Sequence, residues 1–463
     1  MYIEEKDTIA AIATGMGNSG IGIIRISGTD AIGVADRVFR GKKKASAMET
    51  YTAAFGHVVD ENENVIDETI MLVMKGPHTY TTEDTVELDC HGGSFVLKRV
   101  LERVLAAGAR TARPGEFTER AYLGGRIDMT EAEAVMDVIN AGSDMALKSS
   151  MGQLRGDLRD KINELRECII YDTAYIESAI DDPENYSLDG FGDRLREHVD
   201  NCIKNVDNMM ITCENGRLIK EGIRTAIVGR PNVGKSSILN MILGENRAIV
   251  TDIEGTTRDT LEETVNINGI VLRLIDTAGI RDTVDIVERM GVDKAKEMIT
   301  DADLVLFIAD GASAVTEDDI SIINALSGKK IIALVNKQDL PTMIDMDELT
   351  KALGEVGCKD ILRISAAEST GKDELYNLIR DMFFSGDIGY NDQIIITNER
   401  HKEALAIARE SLSRVIESID AGMGEDFYTI DLMGAYEALG KIIGETLEDD
   451  LADKIFREFC MGK

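Results

Sequence analysis

The chain has 463 residues, of which 44% are hydrophobic and 29% charged, a composition typical of a globular protein of about three domains. Its formal net charge of −33 argues against broad non-specific contact with nucleic acid, because phosphate repels so acidic a surface. The apolar runs are too short to span a membrane, and the acidic start of the chain lacks the basic region of a secretory signal, so we expect a cytoplasmic protein.

The first predicted domain, residues 1–121, combines strands and helices. Strand-like runs cover 8–13, 22–27, 70–74 and 85–88, and helix-like runs follow Thr29 and Gly93. The Arg-Pro-Gly-Glu-Phe-Thr run at 113–118 closes the domain, because proline and glycine interrupt regular structure. This order of elements predicts an α+β domain.

Two segments, 122–218 and 385–463, are predicted to be helical. Apolar residues recur at steps of three and four along 154–180, 199–213, 405–419 and 447–459, as on one face of a helix. Because each such face needs an apolar partner, we expect the helices of both segments to pack into one bundle. The segment between them, 219–384, is then an inserted domain whose two ends lie close together.

The inserted segment opens with Gly-Arg-Pro-Asn-Val-Gly-Lys-Ser-Ser at 229–237, which fits the phosphate-binding loop G-x-x-x-x-G-K-[ST]. A strand-like run precedes the loop and a helix-like run follows it. Glycines let backbone amides turn toward phosphates, and the helix N-terminus adds positive potential. The residues predicted to contact the triphosphate are Asn232, Val233, Gly234, Lys235, Ser236 and Ser237.

The next motif follows an apolar strand-like run at 270–275 and reads Asp276-Thr277-Ala278-Gly279. A carboxylate at a strand end beside the phosphates can hold Mg²⁺ through water. Gly279 frees the following backbone N–H to approach a γ-phosphate. Two elements in this order and spacing indicate a nucleoside triphosphatase.

Two later motifs favour GTP over ATP. Asn336, Lys337 and Asp339 belong to Asn-Lys-Gln-Asp after a strand-like run, and a buried carboxylate there can accept both N1–H and N2–H of guanine. Adenine offers no such donor pair and would leave that carboxylate unpaired. The segment Ser365-Ala366-Ala367 is suited to a backbone contact with guanine O6.

Residues 246–258 are predicted to form the mobile loop that senses the γ-phosphate. The residues of this loop that are candidates for binding the nucleotide and its metal ions are Thr251, Asp252, Ile253, Glu254, Gly255, Thr256 and Thr257. From the sequence alone, either of the two adjacent threonine hydroxyls can bind Mg²⁺.

The catalytic residue is less evident. Ras-like GTPases orient water with a glutamine directly after D-x-x-G, and Ile280 occupies that position here. Glu288 is a candidate replacement, and the alternative is a solvated acid at the start of a helix. Cys460 is either part of a fraying tail or a reactive thiol. The six cysteines form no C-x-x-C pair, which argues against zinc.

Taken with Arg-Pro-Gly-Glu-Phe-Thr-Glu-Arg-Ala at 113–121 and the Cys-x-Gly-Lys terminus, these motifs resemble the bacterial tRNA uridine-34 modification GTPases, the MnmE/TrmE family, over the whole chain. The resemblance implies an α+β folate-binding and dimerisation domain, a helical-bundle domain, and an inserted Ras-like P-loop GTPase domain with a mainly parallel sheet. It implies a homodimer that works on tRNA with an FAD-dependent MnmG-type protein, in a heterotetramer or larger complex.

The implied reaction adds an aminomethyl or carboxymethylaminomethyl group to C5 of wobble uridine 34, with a one-carbon unit from 5-formyl- or methylene-tetrahydrofolate. By motif position, the resemblance assigns K⁺ to Asn232, Thr251, Ile253 and Thr256, and Mg²⁺ to Ser236 and Thr257. Hydrolysis would be activated by K⁺ and by dimerisation of the GTPase domains, with Glu288 positioning the water and Cys460 a candidate for the modification chemistry.

For folate, the matching positions are Arg25, Glu87, Arg126 and Lys463. The alternatives are ordinary strand residues for the first two and a surface charge beside a helix for Arg126, where family members commonly carry lysine. The GTPase motifs alone would also fit a ribosome-assembly switch without modification chemistry. Such proteins usually carry a basic RNA-binding domain, so the acidic composition favours the modification enzyme.

Overall fold

A computed structural model describes residues 7–15, 17–244, 263–267, 269–275, 299–384 and 395–445, together with Ile455, Phe459 and Gly462. The chain divides into two compact units. The first consists of residues 1–136, 152–202 and 407–463, and the second of 137–151 and 203–406. The predicted boundaries after residues 121, 218 and 384 stay a prediction.

The first unit contains a seven-stranded sheet in the order β3-β4-β5-β6-β2-β1-β7. The strands are β1 (Ile9–Ile12), β2 (Ser19–Ser27), β3 (Phe39–Gly41), β4 (Thr52–Val59), β5 (Val65–Met74), β6 (Thr85–Gly92) and β7 (Arg110–Thr111). Neighbours are antiparallel except for the parallel pair β1 and β7. Four strands match the predicted runs, whereas β3, β4 and β7 were missed.

One face of this sheet is covered by α1 (Ala31–Val38) and α2 (Ser94–Ala106). Residues at every second position of β5 are buried, as expected where only one face of a strand meets the core. Ile24 and Met71 from the sheet pack in one cluster with Val34, Leu97 and Val100 from the helices. The register places Arg25 directly opposite Glu87 on the adjacent strand.

An ionic cluster fixes the 113–121 motif beside this sheet. Glu116, the first residue of α3 (Glu116–Leu123), is 1% exposed. Arg110 donates two hydrogen bonds to its carboxylate, at 2.8 and 2.5 Å. The backbone N–H of Arg113 donates at 2.7 Å and Arg120 at 3.0 Å. Burial alone would raise the pKa of Glu116, but these bonds outweigh it and lower the pKa to about 2.

Between α3 and the second sheet, the described helices are α4 (Met129–Ile139), α5 (Asp144–Leu154), α6 (Asp157–Asp181) and α7 (Phe191–Glu221). The single apolar stripe predicted along 154–180 is wrong in two respects. Gly156, with φ of 89°, separates α5 from α6, because left-handed backbone ends a helix. At the other end, Ile180 is 47% exposed and Ala179 is buried instead.

Helices that precede the inserted segment pack against helices that follow it, as predicted. The two late helices are α12 (Glu399–Asp420) and α13 (Glu425–Ile443). Arg166 of α6 pairs with Glu445 just beyond α13, and its guanidinium lies 4.1 Å from the ring centroid of Tyr436. Arg196 of α7 pairs with Asp420 of α12. These contacts confirm a bundle built from segments on either side of the inserted domain.

The second unit contains a six-stranded sheet in the order β13-β12-β11-β8-β10-β9. Its strands are β8 (Ile223–Val228), β9 (Glu263–Ile267), β10 (Ile270–Leu274), β11 (Leu304–Asp310), β12 (Lys330–Asn336) and β13 (Asp360–Arg363). All pairs are parallel except β9 with β10. This confirms the predicted P-loop GTPase fold with a mainly parallel sheet.

Apolar clusters lie on both faces of this sheet, which explains why β11 is buried from Leu304 to Ala309 without alternation. The helices are α8 (Lys235–Leu243), α9 (Glu317–Asn324), α10 (Met346–Glu355) and α11 (Lys372–Phe383). The phosphate-binding loop follows β8, Asn-Lys-Gln-Asp begins as β12 ends, and Ser365 comes soon after β13. In an open parallel sheet, ligands bind at this carboxyl edge.

The chain entering and leaving the inserted domain meets within the second unit. The backbone N–H of Ile396 donates to Thr212 Oγ1 of α7 at 3.2 Å. A Cβ on Gly216 would lie 1.9 Å from the carbonyl oxygen of Ile396, so only glycine permits this approach. The two ends are close, as an insertion requires.

Every helix in the described ranges is too short or too polar to span a bilayer.

Candidate nucleotide-binding and folate-binding sites

The phosphate-binding loop joins the end of β8 at Val228 to the start of α8 at Lys235. Gly234 has a φ of 99°, and Asn232 has a φ of 64°, which asparagine tolerates better than most residues. A Cβ at position 234 would lie 2.3 Å from Asn336 Nδ2. Both its conformation and its surroundings therefore require glycine there.

Lys235 points back across its own loop. Its Nζ donates to the carbonyl oxygens of Gly229 and Arg230, at 2.8 and 2.9 Å. Burial lowers the pKa of Lys235, because the ammonium loses hydration. The loop thus holds a poorly hydrated cation in its concave side, where a polyphosphate would restore a strong charge interaction.

Asn336 connects three predicted motifs. Its side chain is buried at 2% exposure. Its Nδ2 donates to the carbonyl oxygen of Val233 in the phosphate loop at 2.9 Å, and its Oδ1 accepts from the backbone N–H of Ala366 at 3.0 Å. The position predicted to contact guanine therefore also ties the phosphate loop to the Ser-Ala-Ala segment.

Asp339 is held by the same segment. The Ser365 hydroxyl donates to Asp339 Oδ1 at 2.6 Å and so fixes the orientation of the carboxylate. Asp339 is exposed, whereas the sequence argument treated it as buried. A bound base would bury this carboxylate. The free-energy cost of leaving the carboxylate unpaired against adenine therefore arises only when the base shields it from water.

Lys337 has a φ of 64° and donates through Nζ to Asp310 Oδ2 at 2.7 Å. Burial would raise the pKa of Asp310, but the Lys337 and Ala312 hydrogen bonds lower it overall. Asp310 was missed from the sequence, although its place at the end of the apolar strand β11 was a usable signal. Ala367, exposed beside Ala366, completes the described base-binding segment.

Many predicted site residues lie outside the described part of the chain. These are Thr251, Asp252, Ile253, Glu254, Gly255, Thr256, Thr257, Asp276, Thr277, Ala278, Gly279, Glu288, Cys460 and Lys463. Of the predicted metal ligands, the structure places Asn232 in the loop and Ser236 in the first turn of α8. Ser237 follows on the same helix.

A second site lies in the first unit, where the predicted folate residues Arg25 and Arg126 both contact Tyr80 and Glu87 is paired with Arg25. Arg25 Nε donates to Glu87 Oε1 at 2.8 Å, and the Arg25 guanidinium lies 5.7 Å from the Tyr80 ring centroid. Arg126 lies 4.8 Å from the same centroid and donates to the Tyr80 carbonyl oxygen at 3.2 Å. Tyr80 was missed because it lies in a loop without periodicity.

An open cavity of about 550 Å³ adjoins this group, bounded by residues 77–80, Thr82, Tyr51 and the turn 124–126. Arg25 Nη1 also donates to the carbonyl oxygen of Gly462 at 3.4 Å. The C-terminal Cys-x-Gly-Lys tetrapeptide therefore reaches this site at Gly462. Cationic, acidic and aromatic groups together can pair with carboxylates, bind a donor edge and stack on a ring.

Comparisons with known proteins agree with this arrangement. A family model described as the MnmE helical domain matches residues 129–460, and one described as the GTP-binding protein TrmE N-terminus matches 8–126. The tRNA modification GTPase MnmE of Lachnoclostridium phytofermentans is 54% identical to this chain over 99% of it and 100% of the relative. Proteins of the same name from Thermoanaerobacter pseudethanolicus and Clostridioides difficile are each 46% identical, over 99% and 100% of both chains respectively.

Proposed function

This chain belongs to the MnmE family of tRNA modification GTPases, and from that premise we propose that it couples GTP hydrolysis to modification of the wobble uridine of tRNA. The product carries an aminomethyl or carboxymethylaminomethyl group on C5 of uridine 34. A tetrahydrofolate derivative supplies the one-carbon unit, and an FAD-dependent MnmG-type protein works with a homodimer of this chain.

The observation that carries this proposal is the convergence of Arg25, which is paired with Glu87, and of Arg126 on Tyr80, in a chain that also holds a guanine-nucleotide site. A ribosome-assembly switch needs only the nucleotide site. A pterin offers a flat ring and a donor edge, and its glutamate tail carries carboxylates. Tyr80, Glu87 and the two arginines have the matching chemistry.

In the nucleotide site, the described residues bind and orient GTP. Lys235 neutralises phosphate charge, and the amides at the start of α8 point toward the same anion. Asp339, oriented by Ser365, accepts the two guanine N–H groups. Asn336 keeps base and phosphate segments at a fixed separation. The base and the phosphates of GTP are therefore held in fixed positions before hydrolysis, as phosphoryl transfer requires.

Ser236 and Thr257 are proposed to hold Mg²⁺, and Asn232, Thr251, Ile253 and Thr256 to hold K⁺. All of them offer oxygen atoms, as hard cations require. Held by these residues, K⁺ would supply positive charge to stabilise the transition state when two GTPase domains meet face to face. Glu288 positions the attacking water, and Cys460 is a candidate for the modification step.

Mass spectrometry of tRNA nucleosides from a strain lacking this gene tests the overall function. We expect wobble uridines without the C5 substituent, restored by the wild-type gene. Unchanged wobble uridines in the deletion strain would refute the proposal.

Calorimetry with 5-formyltetrahydrofolate tests the folate site separately. Arg126→Ala should weaken binding by about tenfold, because a charge-assisted contact is worth about 1.5 kcal/mol. Arg99→Ala, on the exposed face of α2, is the matched control and should bind as the wild type does. Equal affinity in both variants would remove Arg126 from the site.

A further inference from the structure

Three metal-ligating side chains, those of Cys168, Asp172 and His198, converge between α6 and α7, and the Cys202 thiol lies beside that of Cys168. Neither the nucleotide site nor the folate site uses them. Cys168 and Asp172 lie four residues apart on α6, and His198 and Cys202 lie four residues apart on α7. Residues at this spacing share one face of a helix. Each helix therefore presents two ligand groups toward the other.

The ligand atoms are already close together. The Cys168 sulfur, an Asp172 oxygen and a His198 nitrogen all lie within 4.8 Å of one another. His198 Nδ1 lies 3.0 and 3.1 Å from the two Asp172 oxygens. Ligand atoms on one zinc are separated by roughly 3.3–3.8 Å, given bond lengths of about 2.0–2.3 Å. Small side-chain rotations would bring the group to that geometry.

Cys202 adds a second sulfur beside the first. The thiols of Cys168 and Cys202 are hydrogen-bonded to each other, which places the Cys202 sulfur at the edge of the group of three. The Asp172 and Cys202 side chains are buried, whereas the His198 side chain is 45% exposed. The cluster is therefore shielded from water on the side of Asp172 and Cys202 and exposed to solvent on the side of the His198 imidazole.

The donor set selects a class of metal. Thiolate and imidazole ligands favour Zn²⁺ and disfavour Mg²⁺, Ca²⁺ and Mn²⁺, which prefer oxygen. An ordinary ion pair would account for Asp172 and His198 alone. It does not account for Cys168, whose sulfur lies within 4.8 Å of the ligand atoms of both Asp172 and His198.

We propose that Cys168, Asp172, His198 and Cys202 form a four-coordinate Zn²⁺ site that clamps α6 to α7. A site with four protein ligands leaves no open position, so its role is structural. The absence of C-x-x-C, which argued against zinc, does not bear on this site, because that pattern detects ligands on one loop. Here each pair is spaced for a helix and the two pairs are 30 residues apart in the chain, from Cys168 to His198.

Cobalt titration of the full-length, reduced and chelator-treated protein tests this site, with Mg²⁺ in excess to keep oxygen sites filled. We expect a thiolate-to-cobalt charge-transfer band that saturates at one equivalent and disappears when Zn²⁺ is added. Cys168→Ser should lower the intensity of the band by about half or more, because one of two thiolate ligands is lost, and Cys168→Ser combined with Cys202→Ser should abolish it. His198→Ala, which changes a half-exposed residue and leaves the core intact, should weaken cobalt binding by at least about tenfold.

Cys213→Ser is the matched control, because Cys213 is also a buried thiol on α7 but lies outside the cluster. It should keep the full band. Zn²⁺ should also raise the melting temperature of the wild type and of this control, and leave that of Cys168→Ser unchanged.

No charge-transfer band in the wild type, or a band of undiminished intensity in Cys168→Ser, would overturn the proposal. A Cys202→Ser variant with unchanged band intensity would remove Cys202 as the fourth ligand. These outcomes are independent of tRNA modification, so they do not depend on the function proposed above.

Discussion

Asn336 Nδ2 lies 2.9 Å from the carbonyl oxygen of Val233, so a residue of the guanine motif is bonded directly to the phosphate loop. The same side chain accepts from the N–H of Ala366. Because Asn336 is buried, no water can replace either partner. Recognition of the base and placement of the phosphates are thus linked through one amide group.

Asn336→Ala should weaken GTP binding and lower the free energy of unfolding by about 1–3 kcal/mol, because the Val233 carbonyl and the Ala366 N–H would both lose their partner. Calorimetry with a non-hydrolysable GTP analogue and thermal denaturation measure the two effects. Asn324→Ala, an exposed change at the end of α9, should alter neither. If the two variants have the same GTP affinity and the same free energy of unfolding, the hydrogen bonds of Asn336 contribute to neither.

Gly234→Ala should abolish nucleotide binding. The new Cβ would be strained by the φ of 99° and would approach Asn336 Nδ2 to 2.3 Å. Gly354→Ala is the control, since it lies within α10 with no atom within 4 Å of its Cβ position. It should raise the free energy of unfolding by up to about 1 kcal/mol, as alanine favours helix. Retained GTP affinity in the first variant would contradict the geometry described for the loop.

Asp339→Asn should weaken GTP binding and shift preference toward xanthine nucleotides, because an amide can donate to the xanthine O2. Ser365→Ala should reduce guanine selectivity more mildly, by about 1 kcal/mol, since the carboxylate stays but loses its orienting bond. Competition binding with GTP, XTP and ATP separates these outcomes. Asp318→Asn, an exposed change on α9, serves as the control. Full guanine selectivity in Asp339→Asn would refute the reading of Asn-Lys-Gln-Asp.

Hydrolysis should be much faster in K⁺ than in Na⁺ at equal ionic strength. In Asn232→Ala the ratio of kcat in the two salts should fall toward unity, because one proposed K⁺ ligand is lost. Asn240→Ala, exposed on the same α8, should keep the ratio of the wild type. Measurements of kcat for GTP hydrolysis in a series of alkali-metal chlorides test this ratio. Equal wild-type rates in all of them would rule out the proposed ion.

The Glu116 cluster should make stability depend on acid. The pKa of Glu116 is lowered from its usual value to about 2 in the folded chain, so the carboxylate stabilises the fold above its unfolded pKa and loses that effect as pH falls toward about 2. The contribution at neutral pH is about 3 kcal/mol, from about 1.36 kcal/mol for each pH unit. Chemical denaturation of wild type and Glu116→Gln should show a difference that shrinks between about pH 4.5 and 2. A difference independent of pH would point to packing instead.

Much of the nucleotide site could be predicted because its signals are local. The phosphate loop follows β8, which ends in the apolar run Ala226 to Val228, and Asn-Lys-Gln-Asp begins at the end of β12, which is apolar from Ile331 to Val335. The strand β4 was missed because Ala53, Ala54, Gly56 and His57 give it no clear alternation. Gly156 breaks a helix that the apolar spacing alone made continuous.

Other features depend on folding to bring distant residues together. Tyr80 joins Arg25 and Arg126 only because a loop, a strand and a turn meet, and Asp310 reaches Lys337 across the edge of the sheet. Cys168 and His198 likewise meet only when α6 and α7 pack. No spacing within a short window could have found these groups.

The hydrogen bond from Ile396 to Thr212 has a practical consequence for dissecting the molecule. Since the backbone returns to the point where it departed, excision of 219–384 leaves a gap that a few glycines can bridge. The shortened polypeptide would retain both helical segments and the N-terminal sheet. The folate and tRNA binding proposed above can then be tested in the absence of any GTP turnover.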